Sequence, residues 1–223
     1  MEEQARFEGV GENFDLQMML LARQKTRDAI QRIAAAIQPG MAEEAAQEWA
    51  RTVLREAGLL RGWHGIQLRF GPNTLKPFGA PSEPGVVLRD HDIFFIDIGP
   101  VWEKWEGDGG ATFVVGNDPD MVRIAQDVQG VFARVRAKWL AERVSGQALY
   151  QYAGEQARAL GWELNLQMAG HRLADFPHAA IHKGSLAEAA FAPSPSLWVL
   201  EIQIRHPERP FSAFYEDLLL ADR

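Results

Sequence analysis

Ile93-Phe94-Phe95-Ile96-Asp97-Ile98-Gly99 carries one carboxylate inside an unbroken apolar run, and Asp108 follows eleven residues after it in Gly107-Asp108-Gly109-Gly110. Such a run bounded by turn residues is the pattern of a strand buried on both faces. Gly99 to Gly107 reads as a loop, and Ala111-Thr112-Phe113-Val114-Val115 as an antiparallel partner strand. Taken singly, Asp97 reads as a strand-end aspartate capping the Gly99-Pro100 turn, and Asp108 as an ordinary turn residue. Pairing of the two strands changes that, because both carboxylates then fall near the same end of the ladder.

Two more carboxylates lie in the extended carboxy-terminal segments. In Trp198-Val199-Leu200-Glu201-Ile202-Gln203-Ile204, alternation places Glu201 beside Val199 and Gln203, opposite the apolar row Trp198, Leu200, Ile202 and Ile204. In Phe214-Tyr215-Glu216-Asp217-Leu218-Leu219-Leu220, Glu216 shares a face with Phe214, Leu218 and Leu220, a poor setting for a solvated charge. His171 follows the extended run Glu163 to Ala169, with His178 and His182 close behind. A lone histidine after a strand is more often structural than a ligand. Together, Asp97, Asp108, His171, Glu201 and Glu216 offer the inventory of a two-metal hydrolytic centre. Carboxylates gathered within a few ångströms raise one another's pKa, and a pair of divalent cations is the simplest compensation. Oxygen and nitrogen ligation suits Mn, Co, Zn or Fe about equally.

Around these segments the chain reads as helix pairs alternating with strands. Residues 14 to 38 form one predicted helix, ended by Pro39-Gly40, and a second carries Ala46, Trp49, Ala50, Val53 and Leu54 on one stripe. Asn117-Asp118-Pro119 opens a third helix with a cap and a first-turn proline, its stripe running through Val122, Ala125, Val128, Phe132, Val135 and Trp139. A fourth spans roughly 147 to 160. Helix pair and strands, then helix pair and strands, suggests a duplicated helix–helix–sheet unit, although no sequence repeat accompanies it. The 223 residues suffice for one α+β domain over 1–223. A net charge of −7 argues against nucleic acid or an anionic membrane as partner. There is no cysteine, so thiolate ligation is excluded. Met1-Glu2-Glu3-Gln4 lacks the basic start of a signal peptide, and the expectation is a cytoplasmic protein.

The five ligand positions, in their order and context, resemble the creatinase/methionine aminopeptidase/Xaa-Pro peptidase family of metallopeptidases. The resemblance covers most of the chain: Gln38-Pro39-Gly40 onward, Asp97-Ile98-Gly99 with Asp108, Gly170-His171 with His178, Leu200-Glu201-Ile202 and Tyr215-Glu216-Asp217. It implies a pita-bread fold and two divalent metal ions. Asp97 would chelate one ion, Asp108 and Glu216 would bridge both, and His171 and Glu201 would complete the second. It further implies a hydrolase of peptide or small amide bonds using a metal-bound hydroxide. Glu201 would be the proton carrier and His178 a hydrogen-bond donor to the substrate carbonyl. The fifteen-residue gap between the glutamates looks like the Xaa-Pro branch, whereas the lack of a large amino-terminal domain looks like the methionine aminopeptidases.

The substrate-handling positions depart from the family pattern. Phe78 stands where a histidine is usual, Gly110-Ala111 for Thr-Arg, Arg172 for glycine, Ala179-Ala180-Ile181 for Glu-x-Pro, and Ile202 for proline. His64 is nearby in sequence but reads as an ordinary loop histidine. Two readings follow: a divergent hydrolase, with Arg172 or Arg205 recognising a carboxylate, or a metal-binding, catalytically impaired relative that holds a peptide or protein partner. Trp102 and Trp105, between the two aspartates, would line an apolar pocket, bury a homodimer contact or pack their loop on its own domain.

Overall fold

The alternation read in the two glutamate segments builds one mostly buried antiparallel sheet in the computed structural model, which describes residues 7–176 and 184–221. His178 and His182 lie outside the described residues. The chain runs α1 (Leu16–Ala35), α2 (Glu43–Glu56), β1 (Gln67–Phe70), β2 (Asp92–Ile98), β3 (Val101–Trp102), β4 (Trp105–Glu106) and β5 (Gly109–Val115). It continues with α3 (Pro119–Glu142), α4 (Gly146–Ala159), β6 (Glu163–Leu164), β7 (His171–Arg172), β8 (Trp198–Arg205) and β9 (Ser212–Leu218). The sheet order is β1-β2-β5-β9-β8-β6, with β7 also paired to β8, while β3 and β4 form a separate hairpin. Each half thus has two helices and an edge-to-centre run of strands, the duplicated helix–helix–sheet unit that the sequence suggests.

The helices cover one face of the sheet. Ile30 and Ile33 of α1 and Ala46, Ala50, Val53 and Leu54 of α2 pack with Leu68, Phe70, Phe94 and Ile96. Val128, Phe132, Val135 and Trp139 of α3 and Leu149, Ala153 and Ala157 of α4 pack with Trp198, Leu200, Ile202 and Ile204. Burying each large apolar side chain contributes roughly 1.5–3 kcal/mol, so these rows decide which face turns inward. Since side chains alternate, Asp97, Glu201 and Glu216 necessarily emerge on the other face.

At the centre of the sheet, β5 and β9 pair only through Gly110 and Glu216. The Thr112 hydroxyl extends this join, accepting from the Phe214 N–H at 2.7 Å and donating to the Phe214 carbonyl at 2.8 Å. Asp217, on the strand face opposite Glu216, receives Arg23 Nε and Nη2 at 2.5 Å each and Arg27 Nη1 at 2.8 Å. Those guanidiniums sit on α1, so a helix of the first half fixes a strand of the second.

Three details differ from the sequence reading. The run expected to extend from Glu163 to Ala169 pairs only at residues 163–164. Asn165 Oδ1 accepts the Gln167 N–H at 3.1 Å and turns the chain out of the ladder, and Gly170 at φ +67° redirects it into β7. The expected 99–107 loop contains the β3/β4 hairpin, with Glu103 at positive φ in its turn. On α3, Met121 and Ile124 are buried in place of the expected Val122 and Ala125.

Asp118 caps α3, accepting the Asp120 and Met121 N–H groups at 3.1 Å, and receives Arg209 Nη1 at 2.9 Å and Nη2 at 2.7 Å. The Arg209 guanidinium holds its carboxyl down at about 2. A depressed carboxylate stabilises the fold above its unfolded pKa near 4 and loses that contribution as pH falls through about 2. Asp118→Ala should therefore cost about 1 kcal/mol in urea unfolding at neutral pH. The gap to wild type should shrink as the pH is lowered from about 4 toward 2. A gap that persists undiminished in acid would remove the charge from the explanation.

Candidate metal centre

The five residues singled out by the sequence converge on the helix-free face of the sheet. Asp97, next to last in β2, lies opposite Gly110, Asp108 immediately precedes β5, His171 opens β7, and Glu201 and Glu216 are register partners on β8 and β9. All four carboxylates are buried. His171 Nε2 lies 2.8 Å from Asp108 Oδ2 and 3.4 Å from Glu201 Oε1. Its Nδ1 faces the Arg172 carbonyl at 2.7 Å. Tyr150, fully enclosed beneath β8, donates to the Glu201 carbonyl at 2.8 Å and holds that strand position in place.

A sixth residue joins them. His64, which the sequence reading left as an ordinary loop histidine, places Nε2 at 3.3 Å from Asp108 Oδ1 and 3.5 Å from Asp97 Oδ1. The Trp63 indole stands edge-on between the two imidazoles, with ring centroids 4.5 Å from His64 and 4.9 Å from His171. Its Nε1 donates to the Gly107 carbonyl at 2.9 Å, pinning this segment to the loop that carries Asp108. Nothing local in Gly62-Trp63-His64-Gly65 announces this. The contact is made across a separation of more than thirty residues and depends on the bare backbone at Gly99.

Two triads of candidate ligand atoms result: His64, Asp97 and Asp108, and Asp108, His171 and Glu216, each with its atoms within 4.8 Å of one another. Burial pushes Asp97 up to about 6 and Glu201 up to about 7. Glu216 is driven well above the carboxylate range by burial and by Asp108, Asp97 and Glu201 around it. Asp108 is the exception: burial is outweighed by His171 and His64, which hold its pKa down. Burial would lower both histidines, but the surrounding carboxylates carry His64 up to about 9 and His171 up to about 10. Glu216 Oε1 is buried without a hydrogen-bond partner among the described residues. An acceptor left bare in such a place is costly unless a cation meets it.

The cavity above these groups has a volume of about 220 Å³. Trp63, Phe78, Leu166 and Met168 line it with apolar surface, and half of Phe78 is exposed. Leu166 and Met168 follow the turn at Asn165 and contribute to the cavity wall.

Arg172 and Arg205 do not serve as the carboxylate receptors expected of them. Arg172 is fully buried, donating to the carbonyls of Phe7 at 3.3 Å, Gly9 at 2.8 Å and Leu173 at 3.2 Å, and to that of Leu197. It fastens the amino-terminal segment to the sheet. Arg205 pairs with Glu163 at 2.6 Å on the surface and does not line the cavity. Trp102 packs against the α1–α2 core with Lys25 Nζ 5.0 Å from its ring centroid, and Trp105 packs near Met19 and Leu173. Both rings are thus used within the chain, and neither lines the cavity.

A buried cluster of carboxylates and imidazoles on the open face of a duplicated helix–helix–sheet fold is the arrangement of a metallopeptidase-like protein. The sequence profile of Metallopeptidase family M24 matches residues 17–221, and the chain belongs to that family. It is 29% identical over 153 residues to methionine aminopeptidase 1 of Mycobacterium tuberculosis (strain CDC 1551 / Oshkosh), covering 66% of this chain and 57% of that protein. Prolidase from Pyrococcus furiosus superposes with a TM-score of 0.80 at 15% identity, over 100% of this chain and 65% of the other. The X-Pro aminopeptidase of Thermotoga maritima MSB8 gives 0.76 at 17% identity, over 100% and 65%. The methionine aminopeptidase of Thermotoga maritima gives 0.70 at 14% identity, over 93% and 96%. At these identities the structural likeness is one of fold, the pita-bread fold that the sequence implies. The chain thus spans between half and two thirds of the length of several of these relatives.

Replacing Arg172 by Met should cost about 3 kcal/mol or more in urea unfolding, because several buried carbonyls lose their donor at once. Unchanged stability, together with weaker binding of carboxylate-bearing peptides, would restore the receptor role.

Proposed function

We propose that this chain is a dinuclear-metal-dependent hydrolase of peptide or small amide bonds, of the aminopeptidase or Xaa-Pro peptidase type. The observation that carries the reading is the split of Asp108: Oδ1 faces His64, which also reaches Asp97, while Oδ2 faces His171, a disposition that suits a carboxylate shared by two ions. In this reading Asp97 and Asp108 would hold one ion and His171 and Glu201 the other, with Asp108 and Glu216 available to both. The donor set is entirely oxygen and nitrogen, which suits Mn, Co, Zn or Fe. The bare Glu216 Oε1 and the raised carboxylates are relieved by such cations. Bound ions would supply Lewis acidity and water activation.

The protein's own groups do the rest. Glu201, facing the cavity beside His171, is the carboxylate that would accept a proton from attacking water and pass it to the leaving amine. Its backbone is locked by Tyr150, so the carboxylate keeps its aim. The apolar walls of the cavity suit a short peptide whose apolar end residue enters it and excludes water. His178 is the proposed donor to the scissile carbonyl, as the family resemblance implies, while the second histidine usual at Phe78 is absent.

Protein stripped of metal, reloaded with Mn²⁺ or Co²⁺ and dialysed should retain about two ions per chain by elemental analysis, and His171→Ala should retain fewer. At ~100 times the dissociation constant, the metal should raise unfolding stability by about 2.7 kcal/mol. Glu201→Gln should lower hydrolysis of dipeptides or Xaa-Pro peptides by ~10²–10⁴-fold while the fold is kept. Retention of no metal by the wild type sinks the proposal.

A further inference from the structure

His64 has the same pattern of contacts as His171. The Nε2 of each approaches one oxygen of Asp108, at 3.3 Å for His64 and 2.8 Å for His171. Each then reaches a second carboxylate, Asp97 at 3.5 Å or Glu201 at 3.4 Å. In both, Nδ1 faces the carbonyl of the next residue at 2.7 Å: Gly65 for His64, Arg172 for His171. A carbonyl at Nδ1 fixes the proton there and leaves the Nε2 lone pair for a metal, the usual outer partner of a metal-bound imidazole. Ligand atoms each about 2.1 Å from one ion stand about 3.0–3.4 Å apart. The two His64 spacings, 3.3 Å to Asp108 and 3.5 Å to Asp97, lie at and just above the upper end of that range.

The packing around His64 is also built. A Cβ at Gly99 would lie 2.1 Å from His64 Cδ2 and 2.3 Å from Nε2, so the ring occupies the space that this glycine leaves beside Asp97. Trp63 flanks the ring on one side and Phe78 meets it at 5.6 Å between centroids on the other.

We propose that His64 is a sixth protein ligand, giving the ion held by Asp97 and Asp108 a nitrogen donor, so that each of the two ions carries one imidazole. This rests on the dinuclear reading above. It assigns to a loop before β1 a role in metal selection: a nitrogen donor shifts that position away from Mn and toward metals later in the Irving–Williams order. It also fills a coordination position that solvent or substrate would otherwise take.

The test counts imidazoles without using turnover. In protein loaded with Co²⁺, each ligating imidazole with a protonated Nδ1 gives one strongly shifted, exchangeable proton resonance. Two are expected in the wild type and one in each of His64→Ala and His171→Ala. Gly99→Ala, which leaves His64 in the chain but pushes its ring aside, should also show one. Calorimetric titration of His64→Ala with Co²⁺ should show one of the two sites weakened at least ~10-fold. One resonance in the wild type, lost only in His171→Ala, overturns the His64 assignment while leaving the dinuclear reading intact. Absence of any Co²⁺ binding by the wild type overturns both.

Discussion

Four carboxylates buried on one face of a sheet cannot all remain charged without positive charge among them, and the inner architecture answers that constraint. Adjacent residues on β9 show two solutions. Asp217 points toward the helices and is met by Arg23 and Arg27 of α1, which the fold supplies permanently. Glu216 points the other way, among Asp97, Asp108 and Glu201, where burial and repulsion drive its pKa up. The first carboxylate is a structural tie. The second is left poised for a cation, and the two histidines mark where that charge would sit.

How much of this the sequence discloses depends on whether an argument is local. Strand β8 was legible because the alternation of Trp198, Leu200, Ile202 and Ile204 with Val199, Glu201 and Gln203 decides which face each residue takes. The pairing of β2 with β5, and hence the nearness of Asp97 and Asp108, followed from two apolar runs across a short connection. Caps and terminators located the four helices to within a few residues.

The failures have separate causes. The reach of His64 to Asp97 depends on backbone space at Gly99 and on a loop pinned by Trp63, neither of which any periodicity encodes. Arg172 looked like a receptor for substrate because an arginine beside a ligand histidine invites it. Strand alternation turns it to the other side, onto the carbonyls of Phe7, Gly9 and Leu197. The run from Glu163 leaves the ladder because the Asn165 side chain offers the Gln167 N–H a local partner, a competition that no alternation pattern reveals.

The join between β5 and β9 has a meaning beyond the sheet. Only one backbone pair and the Thr112 hydroxyl stitch the strands there. Asp97 and Asp108 come from the first half of the chain, and His171, Glu201 and Glu216 from the second. A dinuclear centre at this position would act as a clasp, its grip added where the ladder is thinnest. Docking of the two halves and assembly of such a centre would then be coupled, since neither half alone carries the full ligand set.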